Sequence, residues 1–426
     1  MELIFLLVVL AILLALGVPI AFALGAASLA TFLLIDIPLI VAFQRMAAGM
    51  NIFALMAIPF FIFAGDLMAR TGIAARLVRV AEGMLGRARG GLGQVDVGAS
   101  MMFGAVSGSA VASVSAMGST LMPMMKDKGY DAAYAVNVTV TAAILGILIP
   151  PSHNMIIYAA ASPTGVSVGD LFLAGILPGL LAGAALMFVA WRVAIRRDYP
   201  RGNFPGWSRF IRECVGAFPG LMTAAIIVFG IVLGFFTPTE SSAIAVLYTI
   251  VIGVLIYRTL GWREFVQAAT NSAKTTAMVM LIIGAASMFG WLFAVLQGPV
   301  ALTELLTSIS SDPTIIILSI LLMLLVLGAF MDMAPLIIIT TPILLPVAME
   351  AGLDPVHFGI VMLLNLGIGL VTPPVGSVLF VGCAVGEIAP ERVIRTIWPF
   401  YLALVAVMLL VAFIPELTMW LPERFQ

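Results

Sequence analysis

The chain has 426 residues, 62% of them hydrophobic and 10% charged, with a net charge of −1 and a mean hydropathy of +1.19. Soluble domains average about 25% charged residues, so a chain this apolar cannot clothe itself in polar surface and must lie in a bilayer. The near-zero net charge removes any electrostatic case for nucleic acid or an acidic partner, and Cys214, Cys383, His153 and His357 are too few and too scattered for a disulfide framework or a His/Cys metal centre.

At about 20 apolar residues per crossing there is room for about a dozen spans. Met1-Glu2 carries an acid where a signal peptide carries Lys or Arg, and no cleavage site follows, so a retained first span is expected. Apolar runs at 3–16 and 19–35 are split by Gly17-Val18-Pro19. Residues 36–50, with Arg45, read as interfacial and 51–69 as a further span. A basic stretch holds Arg70, Arg76, Arg79, Arg87 and Arg89. Runs at 92–125, 131–165 (interrupted at Pro150-Pro151) and 170–195 follow. The longest polar segment, 196–215, with Arg201, Arg209 and Arg212, reads as a linker between a first unit, 1–195, and a second, 216–426. In the second unit, runs at 216–236 and 240–257 are split by Thr237-Pro238-Thr239-Glu240. A basic amphipathic stretch at 258–274 precedes runs at 275–296, 314–350, 355–386 (interrupted at Pro373-Pro374) and 396–421.

The two units repeat one motif. Pro123, Gly129, Asp131, Gly146, Pro150 and Pro151 recur as Pro346, Gly352, Asp354, Gly369, Pro373 and Pro374, each 223 positions on. Proline lacks an amide N–H and clashes with the preceding turn, so each Pro-Pro pair breaks a helix. Matched broken segments in two halves point to a transporter binding site.

Charge sets the expected orientation. The basic segments 70–91, 126–128, 192–212, 258–274 and 392–395 belong in the cytoplasm. Segments 162–170, 237–240, 297–313 and 350–354 lack Lys and Arg and belong outside. Segments 92–125 and 314–350 must then each enter and leave on one side, as re-entrant hairpins. The fold expected is an all-α polytopic membrane protein of two inverted repeats, each with a hairpin and a Pro-Pro-broken helix, with both termini outside.

Non-helical backbone at membrane depth is tolerated only where it is buried in protein or lines a wet cavity. The hairpin centres, Ser107-Gly108-Ser109 and Met331-Asp332-Met333, therefore offer hard oxygen ligands and helix N-termini. A carboxylate at that depth costs about 2.5–3.5 kcal/mol and marks a functional site. Asp332 reads as a cation ligand or proton carrier, or as the N-cap of a helix starting at Pro335. Ser107-Gly108-Ser109 reads as a ligand turn or as close helix packing. The breaks Ile149-Pro150-Pro151-Ser152-His153-Asn154 and Val371-Thr372-Pro373-Pro374-Val375-Gly376-Ser377 free carbonyls beside polar side chains. Asn365 either points its carboxamide at the site or makes an interhelical hydrogen bond. His153 reads as a proton relay or a locally bonded residue. Asp66 and Glu82 read as solvated. No phosphate loop, nucleophile–base pair or HExxH motif is present, so enzyme activity is not expected.

Together these motifs resemble the large membrane subunit of tripartite ATP-independent periplasmic (TRAP) transporters, over essentially the whole chain. The resemblance is carried by Leu16-Gly17-Val18-Pro19-Ile20-Ala21-Phe22, Ile58-Pro59-Phe60-Phe61-Ile62-Phe63-Ala64-Gly65, Phe103-Gly104-Ala105-Val106-Ser107-Gly108-Ser109, Ile149-Pro150-Pro151-Ser152, Phe236-Thr237-Pro238-Thr239-Glu240 and Leu370-Val371-Thr372-Pro373-Pro374. It implies an elevator mechanism in the bacterial inner membrane, with Na⁺ as the coupling ion and no other cofactor. It also implies a four-helix small membrane subunit, expected as a separate polypeptide because the chain starts at the first large-subunit span, and a periplasmic substrate-binding protein. One Na⁺ site would join Ser107, Gly108 and Ser109 to Pro150, Pro151 and Ser152. A second would join Asp332 to Thr372 and Pro373. A small organic acid, such as a C4-dicarboxylate or sialic acid, would lie near Asn154, Gly376, Ser377 and Asn365. A proton-coupled carrier and an ion channel are the alternatives.

Overall fold

The computed structural model describes residues 1–202, 204–298, 300–301, 304 and 312–425. Among these residues all regular structure is helical, apart from an isolated bridge between Arg89 and Arg201. The first part comprises α1 (Glu2–Ala15), α2 (Ile20–Leu34), α3 (Leu39–Met50), α4 (Ala57–Arg70), α5 (Ile73–Leu85), α6 (Gly91–Ser107), α7 (Ala110–Asp127), α8 (Ala132–Ala143), the single turn α9 (Leu145–Leu148), α10 (His153–Ala161) and α11 (Val168–Arg196). There follow α12 (Trp207–Val232), α13 (Pro238–Val251) and α14 (Trp262–Val295). The last part is α15 (Pro313–Phe330), α16 (Met333–Glu350), α17 (Pro355–Gly369), α18 (Ser377–Gly386), α19 (Pro390–Ile394), α20 (Trp398–Phe413) and α21 (Glu416–Phe425).

The repeated Gly-Asp turn has a specific local use. Gly129 and Gly352 close the preceding helices in the left-handed region, at φ +80° and +93°, where a Cβ would be strained. Asp131 and Asp354 open the next helices as N-caps. Asp131 Oδ1 accepts from Tyr134 N at 3.0 Å, and Asp354 Oδ1 accepts from Val356 N at 2.7 Å. Thr237 and Glu240 form a reciprocal capping box at the start of α13.

Six described helices are long and apolar enough to cross a membrane, or up to nine spans if each bent pair counts as one. That is fewer than the dozen expected, because several apolar runs fold as shorter pieces. Helices α15 and α16 each meet the criterion on their own, so length alone does not distinguish two crossings from a re-entrant pair. Most of the 297–313 segment, expected outside, lies beyond the described residues.

Three basic segments are helical in whole or in part. Residues 73–85 form α5, bent 69° from α4, with Ile73, Ala74, Leu77, Val78 and Ala81 buried. Its arginines face elsewhere: Arg79 pairs with Glu213 at 2.7 Å, and Arg76 lies over the Tyr257 ring at 4.1 Å. Segment 196–215, read as a linker, contains the first turns of α12. Segment 258–274 opens the 34-residue α14, around which α2, α3, α4 and α16 gather. The final run, 396–421, is bent by 55° between α20 and α21. Asp66 and Glu82 are not merely solvated, since they pair with Arg70 at 3.3 Å and Lys128 at 3.9 Å.

Two glycine crossings bring helices into backbone contact. A Cβ on Gly146 would meet Gly104 Cα at 2.9 Å, and one on Gly369 would meet Gly328 Cα at 2.7 Å. Gly369→Leu is expected to cost about 1–3 kcal/mol by overpacking, read as a lower thermal midpoint in detergent. Gly25→Leu, where a Cβ meets nothing within 4 Å, should leave the midpoint in place. Equal midpoints for the two variants would refute the close crossing.

Candidate functional site

Helices α8 and α9 run to Leu148 and stop, because Pro150 and Pro151 supply no amide N–H. Helix α10 restarts at His153, about an axis turned by 50°. Ser152 is its N-cap, yet makes no capping bond. It is fully buried, and its Oγ has no hydrogen-bond partner among the described residues.

The turn between α6 and α7 lies on this break. Gly108 bends the chain at φ +61°, and a Cβ there would meet Pro151 O at 3.0 Å and His153 N at 3.4 Å. Only a glycine lets the turn approach that closely without displacing the break. Ser109 caps α7, its Oγ accepting from Ala112 N at 3.4 Å. Ser107 Oγ accepts from Ser109 N at 3.5 Å and sits 3.4 Å from Ser113 Oγ. The structure thus seats Gly108, between Ser107 and Ser109, against Pro151 and Ser152. An unpartnered hydroxyl beside non-helical carbonyls is a donor set of hard oxygens, the type suited to a small hard cation.

The second break is built differently. Helix α17 ends at Gly369, and α18 restarts at Ser377 after Gly376 at φ +32°. A Cβ on Gly376 would meet Thr372 O at 2.9 Å. Val375 N and Gly376 N donate to Ala329 O at 3.1 and 3.4 Å, closing the break onto the last turn of α15. Thr372 Oγ1 donates to Ile368 O and lies against Tyr401 Oη, both at 2.7 Å. Pro373 is exposed, and Ser377 Oγ is buried without a partner among the described residues.

Asp332 sits at the N-cap of α16, which starts at Met333 rather than at Pro335. Its side chain makes no capping bond and is exposed. No hydrogen bond joins it to Thr372 or Pro373 among the described residues. Asn365 is fully buried, with Nδ2 donating to Leu321 O at 2.8 Å, so its carboxamide ties α17 to α15. Its Oδ1 has no partner among the described residues. Asn154 is buried in the first turn of α10, while His153 beside it is half-buried, and neither side chain is hydrogen-bonded among the described residues.

Each half-helix beyond a break packs on the other half of the chain. Helix α18 lies on α7 and α8, with Gly382 against Val114 and Val136, and Lys126 Nζ donates to Gly386 O at 2.6 Å. Helix α10 lies on α16 and α17, with Tyr158 Oη donating to Pro355 O at 2.6 Å.

One acid went unremarked in the sequence. Asp96, inside α6, is fully buried, with Thr139 Oγ1 of α8 at 2.5 Å from Oδ2 and Ser100 Oγ at 3.4 Å from Oδ1. The available signal was a lone carboxylate within the apolar run 92–125. The partners of the repeated glycines, Gly104 and Gly328, were likewise visible only as residue types.

Comparison with known proteins gives a consistent assignment. The family model described as tripartite ATP-independent periplasmic transporter, DctM component, matches residues 7–417. The chain is 43% identical to uncharacterized protein YgiK of Salmonella typhimurium, over 97% of this chain and 96% of that one. It is 38% identical to the sialic acid TRAP transporter large permease protein SiaM of Vibrio cholerae, over 96% of each. It is 36% identical to the C4-dicarboxylate TRAP transporter large permease protein DctM of Rhodobacter capsulatus, again over 96% of each. Among solved structures, the YdaH transporter of Alcanivorax borkumensis shares the fold, with a TM-score of 0.62 at 14% identity over 88% of each chain.

Thr139→Val removes the nearest partner of Asp96 and is expected to destabilise the protein by about 1–3 kcal/mol. Thr139→Ser, which keeps the hydroxyl, should not. The two thermal midpoints compared with wild type decide it, and equal midpoints would dismiss the bond.

Proposed function

Because the chain belongs to the tripartite ATP-independent periplasmic transporters, as their DctM component, we propose that this large permease imports a small organic acid by sodium symport. The observation that carries the ion reading is the Gly108 turn seated on the break beside Ser152, whose buried hydroxyl lacks a partner. The first sodium ion would be held by oxygens of Ser107, Gly108, Ser109, Pro150, Pro151 and Ser152. A second would use the Asp332 carboxylate with carbonyls near Thr372 and Pro373, because the Thr372 hydroxyl is already engaged.

The organic acid would lie between the two breaks, near Asn154, Gly376 and Ser377. Asn365 would support the site through its bond to Leu321 rather than touch substrate. No arginine occurs at either turn or either break, so helix N-termini, hydroxyls and sodium would hold the carboxylate. Relatives described as transporting sialic acid and C4-dicarboxylate support the substrate class.

The mechanism is read as an elevator. Helices α6–α10 and α15–α18, interlocked by the cross-packing of α10 and α18, would move together as two inverted repeats against the remaining helices. The basic end would face the cytoplasm of a bacterial inner membrane, and both termini the periplasm. A separate small membrane subunit and a periplasmic binding protein would complete the system. Proton coupling is the second reading, carried by the buried carboxyl group of Asp96.

Uptake of labelled organic acid into proteoliposomes, with the small subunit and binding protein supplied, should require a sodium gradient. Uptake that persists without sodium under a maintained proton gradient would overturn sodium symport. Asp332→Ala is expected to abolish coupled uptake while assembly is retained, and wild-type sodium dependence in that variant would remove Asp332 from the ion site. Ser152→Ala should raise the sodium concentration for half-maximal uptake about tenfold, equivalent to about 1.4 kcal/mol. Its thermal midpoint should hold, since no hydrogen bond is lost. An unchanged sodium requirement in Ser152→Ala would remove the hydroxyl from the first site.

A further inference from the structure

A cleft of about 230 Å³ opens at the basic end of the molecule, far along α8 from the break. Tyr134 and Asn137 of α8, Arg197 at the end of α11, Arg395 and Thr396 between α19 and α20, and Phe400 of α20 line it. Its charges are unbalanced. Arg197 pairs with Asp131 at 3.2 Å and bonds Tyr199 Oη at 3.3 Å. Arg395 is exposed and makes no ion pair among the described residues, not even with Glu391 one turn before it. Arg392, on the preceding turn, is exposed as well.

A second observation points to a ligand. Asn137 is fully buried, and Nδ2 donates to Thr396 Oγ1 at 2.7 Å, leaving the other carboxamide atom without a partner among the described residues. Turned over, the same carboxamide accepts from the Thr396 hydroxyl and leaves its N–H donors unpaired within the cleft wall. Arg395 with that amide then matches the oxygens of a phosphate. The surroundings fit a lipid. Trp398 is exposed beside the cleft, and Leu402, three residues beyond Pro399 on the same helix face, is 62% exposed. Exposed tryptophan marks a membrane interface, and basic pockets between helices at that level take anionic headgroups.

We propose that this cleft binds the phosphate of an anionic phospholipid, whose chains run along the Leu402 face of α20. Arg395 supplies the uncompensated charge, and Arg197, held by Asp131, forms the opposite wall. The site joins α8, next to the proposed first ion site in sequence, to α11 and α20. It stands whether or not the sodium reading above does.

The test uses the purified full-length chain in micelles of phosphatidylcholine, with or without phosphatidylglycerol. Wild type should gain a few degrees in thermal midpoint with phosphatidylglycerol, and native mass spectrometry should show a retained lipid. Arg395→Gln should lose both effects while keeping its midpoint in phosphatidylcholine alone. Arg263→Gln, an exposed arginine on α14, should keep both. An equal response in Arg395→Gln would overturn the site. Inorganic phosphate producing the same shift as phosphatidylglycerol would overturn the lipid assignment in favour of a soluble anion.

Discussion

A backbone amide or carbonyl inside a bilayer has no water to bond, and leaving one unpaired costs several kcal/mol. Pro150-Pro151 and Pro373-Pro374 interrupt helices under that constraint, and much of the architecture answers it. At the second break, Ala329 O takes the amides of Val375 and Gly376. At the first, the Gly108 turn covers Pro151. Covering a break requires a helix pair to reach it, and the crossings of Gly104 on Gly146 and Gly328 on Gly369 remove the side chains that would hold those pairs away. The four glycines and two Pro-Pro pairs belong to one solution, in which broken backbone is shielded by backbone.

The two breaks are dissimilar in chemistry. The first is buried and offers hydroxyls and carbonyls without a formal charge, while the second, as proposed, would add the exposed carboxylate of Asp332. Ions leave a neutral site at less electrostatic cost than a charged one. The two sites proposed above would therefore differ in affinity.

Much of this was legible because proline, glycine and aspartate act locally. The 223-residue step located both breaks and both Gly-Asp turns, and Gly129, Gly352, Asp131 and Asp354 take the cap positions those residue types favour. The basic segments are less legible, for a physical reason. Arginine does not mark a loop at 70–91: α5 hides its apolar face at helical spacing and places Arg76 and Arg79 on Tyr257 and Glu213. Those partners are 134 to 181 positions away in the chain, beyond what periodicity reports. Asp96 escaped notice because its meaning depends on Thr139, brought to it only when α6 packs on α8. The capping alternative for Asp332 and the interhelical alternative for Asn365 were separable only by side-chain direction.

Helix α18 has one end at the second break and the other at Lys126. A helix of this length, about 15 Å, carries a partial positive charge at its amino end and a partial negative one at its carboxyl end. The ammonium group of Lys126 rests on the carbonyl of Gly386 and offsets part of the negative end, while the positive end points at the break. The polarity sensed there is thus preset by a cation from the first half of the chain. Any motion that drew α7 away from α18 would also change the electrical bias at a break it does not touch.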